Sequence, residues 1–364
     1  MKKILFHIDS MQRGGANRVM ANLTQFFSEK GYETILVNDA PPKAGDLEYD
    51  VPQKTERVFL LNGMECFGML RKNFVRIKAL RELIKKEKPD VVLSFMGPPN
   101  VRLLLAAIFL PTVKIVSVRN DPYREYGSGI KKFLINLLFL AADGVVFQTQ
   151  DAAAYFNRSI RKRARIIYNP VDPKFYACKW NPINKSIAVV GRLEPQKNPM
   201  NAITAFQKLS PVFSNYTLDF YGDGSLRSEL ETYVQSQGLE NRVLFHGNCS
   251  QVEKVLETSS LYVLSSDYEG MPNALMEAMA VGIPAISTDC PCGGPRALFA
   301  DRESGLLVPI DDHKALCSAM EKVLSDLSYL ALLGKNASER ACDFHPDCVF
   351  AQWEEYFRSF SADR

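Results

Sequence analysis

Short apolar runs alternate with amphipathic segments along nearly the whole chain. Residues 4–8, 34–38, 91–95, 114–118 and 144–148 are rich in Val and Ile and mostly end at Gly, Pro, Asn or Asp, which predicts strands. Between them, residues 16–30 and 68–86 carry apolar positions at helical spacing. Strand, helix, strand in this rhythm predicts an α/β chain built on a parallel, doubly wound sheet with helices on both faces. The rhythm breaks at Tyr168-Asn169-Pro170-Val171-Asp172-Pro173, a Pro-rich turn that reads as an interdomain linker. It resumes with strand-like runs at 186–191, 217–221, 242–245, 261–264, 284–287 and 305–308. The expected organisation is one doubly wound domain over 1–170 and a second over 171–346, facing each other across a deep cleft. A last amphipathic segment, within 347–364, has no strand after it and is expected to cross back onto the first domain.

Composition narrows the class. Of 364 residues, 46% are hydrophobic and 23% charged, which excludes a disordered chain, a fibrous repeat and a small disulfide scaffold. The net charge of +3 hides an asymmetry: residues 1–173 hold 27 Lys/Arg against 17 Asp/Glu, and the remainder 17 against 24. A basic first half suits an anionic surface. The eight cysteines, Cys66, Cys178, Cys249, Cys290, Cys292, Cys317, Cys342 and Cys348, are scattered as in a reduced cytoplasmic protein. Only Cys290 and Cys292 are close, and two thiols without a second pair make a poor zinc site, so no metal is expected. His7 and Asp9 interrupt the apolar start, which reads as a buried strand and not a signal peptide. The most apolar stretch, 133–142, contains Asn136 and is half the length of a membrane-spanning helix.

In open parallel sheets ligands bind outside the carboxyl ends of strands, so the loops after each strand hold the candidate chemistry. After the first strand, Gly14-Gly15-Ala16 opens a helix whose unpaired N–H groups could face an anion. A turn with no ligand is the bland reading of the same residues. After the first strand of the second domain, Arg192 and Lys197 lie five residues apart on one loop. Two cations there suit a diphosphate that gains charge as it leaves, or else form a solvated basic loop. Glu269 stands in a Gly/Pro turn beyond another strand, and Glu277 lies inside the helix that follows, on an otherwise apolar face. Pro272 near that helix start leaves the N–H groups of Asn273, Ala274 and Leu275 at the positive end of its dipole.

Glu269, seven intervening residues, then Glu277 resembles the E-x7-E motif of the retaining glycosyltransferases of family 4, which have the GT-B fold of two Rossmann-like domains. Gly191-Arg192-Leu193 with Lys197 looks like that family's phosphate loop, and Gly14-Gly15-Ala16 like its N-terminal glycine loop. Tyr221-Gly222-Asp223-Gly224, Phe245-His246-Gly247 and Gly305-Leu306-Leu307-Val308-Pro309 match further signatures in order. The resemblance implies that Arg192 and Lys197 hold the donor diphosphate, Glu277 the ribose hydroxyls, and Glu269 the transferred sugar. Gly15, Gly270, Asn273, Ala274, Leu275 and His246 would complete the donor site, with His246 near the base. It further implies a nucleotide-sugar donor, most often a UDP-sugar, and a product that keeps the donor's α configuration. No Asp-x-Asp occurs, so the cation role falls to Arg192 and Lys197 and no cofactor is expected. His7 and His246 read as structural more readily than catalytic, and His313 and His345 as surface positions.

Two departures from the family pattern concern the sugar. Where many members carry a His after the fourth predicted strand, this chain reads Arg119-Asn120, and Ala297 stands where a Glu is common. Gly14, Gly15, Ala16, Arg119 and Asn120 are therefore the expected acceptor and donor-sugar side.

Residues 71–88 hold eight Lys/Arg among Leu70, Phe74, Ile77 and Ile84 at helical spacing, and Arg158, Arg161, Lys162, Arg163 and Arg165 form a second cluster. A basic amphipathic helix suits an anionic membrane, unless its apolar face belongs to the core. The expected acceptor is a saccharide on a polyprenyl diphosphate at the inner face of a bacterial membrane; nucleic acid lacks any supporting motif. The alternative is a catalytically silent sugar-nucleotide or glycan binder on the same fold. A nicotinamide oxidoreductase fails for want of a G-x-G-x-x-G loop.

Overall fold

The computed structural model describes residues 1–61, 68–299 and 303–360; Cys66 and residues 361–364 of the expected last segment lie outside them. The chain divides into two units, Met1–Asn169 with Val349–Arg364, and Pro170–Cys348. The boundary, between Asn169 and Pro170, falls inside the Tyr168–Pro173 turn.

The first unit holds seven parallel strands: β1 (Lys3–His7), β2 (Glu33–Asn38), β3 (Glu56–Phe59), β4 (Val91–Phe95), β5 (Val113–Ser117), β6 (Gly144–Phe147) and β7 (Ala164–Ile166). Their order is β3-β2-β1-β4-β5-β6-β7. β1, β4 and β6 are buried almost throughout, because helices cover both faces, and they read as continuous apolar runs. The second unit holds six: β8 (Ser186–Val190), β9 (Thr217–Tyr221), β10 (Val243–Gly247), β11 (Leu261–Leu264), β12 (Ala285–Thr288) and β13 (Leu306–Val308), ordered β10-β9-β8-β11-β12-β13. Every pairing between these strands is parallel.

The helix Pro346–Ser359 supplies Val349, Trp353, Tyr356 and Phe357 to the core under the first sheet. Trp353 lies tilted against Phe95 at 5.9 Å between ring centres, and Phe357 stacks on Phe27 at 5.1 Å. The Tyr356 hydroxyl accepts from the Val145 N–H at 3.0 Å and donates to the Arg163 carbonyl at 2.6 Å. A Cβ at Gly144 would lie 2.5 Å from that hydroxyl, so only glycine lets the helix seat. This helix therefore packs within the first unit.

Candidate donor site in the second unit

In each sheet the strand order reverses beside the unit's first strand, between β1 and β4 and between β8 and β11. Loops leaving the two strands at such a point diverge and open a crevice, where doubly wound sheets bind ligands.

The β8 loop carries Gly191, Arg192 and Lys197; the β11 loop carries Ser265 to Pro272. Four hydrogen bonds lace them together. The Asp267 N–H donates to the Gln196 carbonyl at 2.9 Å and Gln196 Nε2 to the Tyr268 carbonyl at 2.9 Å. Ser265 Oγ donates to the Lys197 carbonyl at 3.0 Å and Asn198 Nδ2 to Asp267 Oδ1 at 2.8 Å. Asn198 takes a φ of 40°, a left-handed conformation that Asn tolerates, and also caps the helix Pro199–Leu209. This lacing sets the Lys197 ammonium on Glu269 Oε1, which accepts a second bond from Ser266 Oγ at 2.8 Å. Glu269 is 7% exposed, so these donors offset a desolvation that an unpartnered carboxylate could not bear.

Two glycines make the close approach possible. A Cβ at Gly222 would lie 2.0 Å from the Gly191 carbonyl oxygen, and one at Gly294 would lie 2.0 Å from the Gly270 oxygen. The segments that begin at β9 and at the helix Gly294–Phe299 therefore press flat against the two site loops.

Pro272 caps the helix Asn273–Val281, and its carbonyl accepts the first ladder bond, from the Met276 N–H. The amides of Asn273, Ala274 and Leu275 precede that ladder, at the positive end of the dipole. Glu277, one turn further, is 5% exposed. Burial first, and then the charges of Glu269 and Glu277, push the Tyr262 phenol well above its ordinary value. Burial likewise pushes the Cys290 thiol up to about 12, and its Sγ donates to the Ser266 carbonyl at 3.1 Å. Cys290 is therefore a packing residue at the site's edge. Among the described residues no cluster of His, Cys, Asp and Glu could hold a metal ion. Arg192 is exposed.

His246 belongs to a different feature, formed by β9 and β10. The register shifts between Phe245 and Gly247, which turns the imidazole outward. Its Nε2 lies 2.7 Å from Asp219 Oδ1, and its ring stacks on Tyr221 at 4.6 Å with 9° between planes.

In the first unit, Gly14, Gly15 and Ala16 open the helix Gly15–Glu29 directly after β1. Gly14 has extended backbone at φ −172°, and the nearest atom to a Cβ there would be 3.9 Å away. Neither conformation nor crowding requires glycine at this position, unlike Gly222. Arg119 follows β5 and is buried within the first unit. It is 7% exposed, its Nη1 donates to Asn169 Oδ1 at 2.8 Å, and its guanidinium lies 3.9 Å from the Phe95 ring centre. Burial holds it down to about 9. Neighbouring Asn120 turns its Oδ1 to the Asp121 N–H at 2.9 Å. His7 is fully buried against the Val37 carbonyl, His313 starts a surface helix, and His345 faces Asp347.

Two family models together span most of this geometry: one described as glycosyl transferases group 1 matches residues 179–340, and one described as glycosyltransferase family 4 matches residues 13–175. The chain belongs to glycosyltransferase family 4. Among its relatives is an α-1,4-N-acetyl-D-galactosaminyltransferase of Campylobacter jejuni, named for a GalNAc-GalNAc-diNAcBac-PP-undecaprenol substrate. The two are 29% identical over 358 residues, 97% of each chain. Solved structures place the fold in GT-B. A sucrose-phosphate synthase of Thermosynechococcus elongatus matches with a TM-score of 0.83 and 18% identity over 100% of both chains. The Anabaena HepE protein, in complex with UDP and glucose, matches with 0.80 and 19% over 99% of this chain and 100% of its own.

In this glycosyltransferase the sequence resemblance assigns Lys197 to the phosphate and Glu269 to the sugar, each on its own. The structure makes them one ion pair, with Ser266 as third member. No single-sequence signal links positions 197, 266 and 269; the link exists because β8 and β11 are neighbours. The basic helix also resolves in part. In Met69–Glu87 only Leu80 and Ile84 are buried, whereas Leu70 is 88% and Phe74 69% exposed. The apolar face belongs to the core in the helix's second half only. Among the described residues no helix is long and apolar enough to cross a membrane.

Proposed function

We propose that the protein is a retaining, metal-independent hexosyltransferase. It uses a UDP-sugar and transfers the sugar to a saccharide on a polyprenyl diphosphate, at the cytoplasmic face of a bacterial membrane. The observation that carries this reading is the Lys197–Glu269–Ser266 cluster, in the crevice between the β8 and β11 loops and beside the amino end of Asn273–Val281. As the bond between the anomeric carbon and the β-phosphate oxygen breaks, its electron pair leaves with the diphosphate. Arg192, Lys197 and the first-turn amides oppose the charge that builds there. The acceptor hydroxyl bonds to the anomeric carbon on the face being vacated, and its proton passes to the departing diphosphate. In this reading Glu277 accepts from the ribose hydroxyls and Glu269 from the sugar. The acceptor named for the Campylobacter relative and the UDP held by HepE support the choice of substrates. The basic first half and the exposed Leu70 and Phe74 support membrane contact.

Incubating the purified protein with UDP- and GDP-sugars, with and without EDTA, tests the reading. Slow hydrolysis of one UDP-sugar, unchanged by EDTA, is the expected result. A strict metal requirement or a GDP-sugar preference refutes it, and absence of any turnover favours a silent binder. Flotation with anionic liposomes at low salt, lost at high salt, tests the membrane contact.

A further inference from the structure

A cavity of about 500 Å³ opens in the first unit between the helices Met69–Glu87, Gly97–Ala106 and Gly129–Phe139. That size lies within the usual range for a small-molecule site, about 300–1,000 Å³. Ile77, Val101, Leu105, Leu134 and Ile135 make most of its wall apolar, and Asn73, Arg102 and Glu125 add polar atoms to it. Its floor is fixed by close packing: a Cβ at Gly97 would come within 2.7 Å of Glu125 and 3.2 Å of Tyr126, and Tyr126 packs edge-on against Phe139 at 5.5 Å.

The cavity continues into an apolar stripe. On Gly129–Phe139, Ile130, Phe133, Leu134 and Leu137 recur at helical spacing, yet each is more than half exposed. Ordinarily such a stripe faces a core. Lys131, which lines the cavity, is exposed on the same helix next to Lys132, which is partly exposed. An apolar slot, leading to an exposed apolar strip and bordered by the Lys131 ammonium, complements a chain molecule with an anionic head.

We infer that this cavity takes the isoprenoid chain of the acceptor. The isoprene units nearest the diphosphate lie in the slot, the diphosphate lies at Lys131, and the rest of the chain follows the stripe towards the bilayer. The inference rests on the lipid-linked acceptor proposed above and adds where its lipid is held.

Farnesyl diphosphate is the probe, titrated calorimetrically into the full chain, with geranyl diphosphate, inorganic pyrophosphate and phosphatidylglycerol vesicles in parallel. Expected are saturable binding of farnesyl diphosphate and binding at least about tenfold weaker for both the shorter chain and pyrophosphate. Val101→Trp, which fills the slot, should weaken farnesyl diphosphate at least about tenfold. If that variant does not fold, Leu105→Trp fills the slot from its exposed rim. Equal binding to wild type and a folded, filled variant overturns the inference. So does displacement of the probe by vesicle lipid, or a slot closed by a second copy, seen as a dimer that the filled variant loses. Wild type that turns over a UDP-sugar but never saturates with the probe refutes this site alone; probe binding without donor turnover refutes the transferase reading alone.

Discussion

Replacing Lys197 by Met separates the two roles of its ammonium. In the folded protein the group neutralises Glu269, whose side chain is 9% exposed while that of Lys197 is 23% exposed. Removing one partner of a fully buried pair costs about 3–5 kcal/mol, and an exposed pair is worth about 0–1 kcal/mol. The Lys197–Glu269 pair lies between these limits, and Ser266 Oγ stays on the carboxylate, so a loss of about 2 kcal/mol is expected. For a unit of this size that lowers Tm by about 4–8 °C. Lys197→Met/Glu269→Gln removes both charges and should recover most of that loss. Activity must not recover with it. Loss of a preorganised cation facing the leaving diphosphate should lower kcat/KM about 10²–10³-fold in the single and double variants alike. Melting curves and donor turnover on the wild type, both single variants and the double variant make a complete cycle. If the double variant melts as low as Lys197→Met, the two side chains are not coupled. If Lys197→Met keeps turnover within twofold of wild type, the ammonium does not assist departure of the diphosphate, and the electrostatic account is wrong.

Other outcomes follow from groups that burial has displaced. Burial raises Glu125 from 4.5 to about 7. Between those values the unfolded chain ionises first, so wild-type stability falls as pH rises through this window. Glu125→Gln should gain on the order of 3 kcal/mol relative to wild type between pH 4.5 and 8, measured by urea denaturation; a flat difference refutes the displacement. His7, held at about 3 by burial and by Arg102, is common to both proteins and cancels in the comparison. Arg119→Met should raise Tm, with a gain on the order of 1 kcal/mol, because a buried cation goes and the packing on Phe95 remains, while donor turnover drops; a lower Tm refutes the first half. Trp353→Ala should cost about 3–5 kcal/mol in the first unit, read by hydrogen exchange at β1 and β4, because a fully buried indole leaves a void between Phe95 and Phe357.

The sheets were legible because central parallel strands are buried on both faces and therefore spell uninterrupted apolar runs, as in Val91–Phe95 and Leu261–Leu264. The two strands that escaped, β3 and β7, are the edges of the first sheet. Glu56–Phe59 is exposed or half-buried throughout, and Ala164–Ile166 spans three residues inside a basic cluster, so neither shows the pattern. With β3 silent in the sequence, Arg119 counts as following a fourth strand, whereas it follows the fifth. Of the site, residue types and spacing showed the carboxylates and cations one by one. Their pairing depended on strand adjacency and on the crowding at Gly222 and Gly294, which are properties of the folded chain only.

The return of Pro346–Ser359 to the first sheet also dictates an order of assembly. Trp353 and Phe357 fill the ground between Phe95 and Phe27, yet nearly 180 residues of the second unit are synthesised before them. At common translation speeds the opening half waits roughly ten to forty seconds for its own aromatic keystone. The later unit, whose interior is complete sooner after its emergence, is the one equipped to mature first, and a chaperone binding the nascent chain would find its target on the amino-terminal sheet.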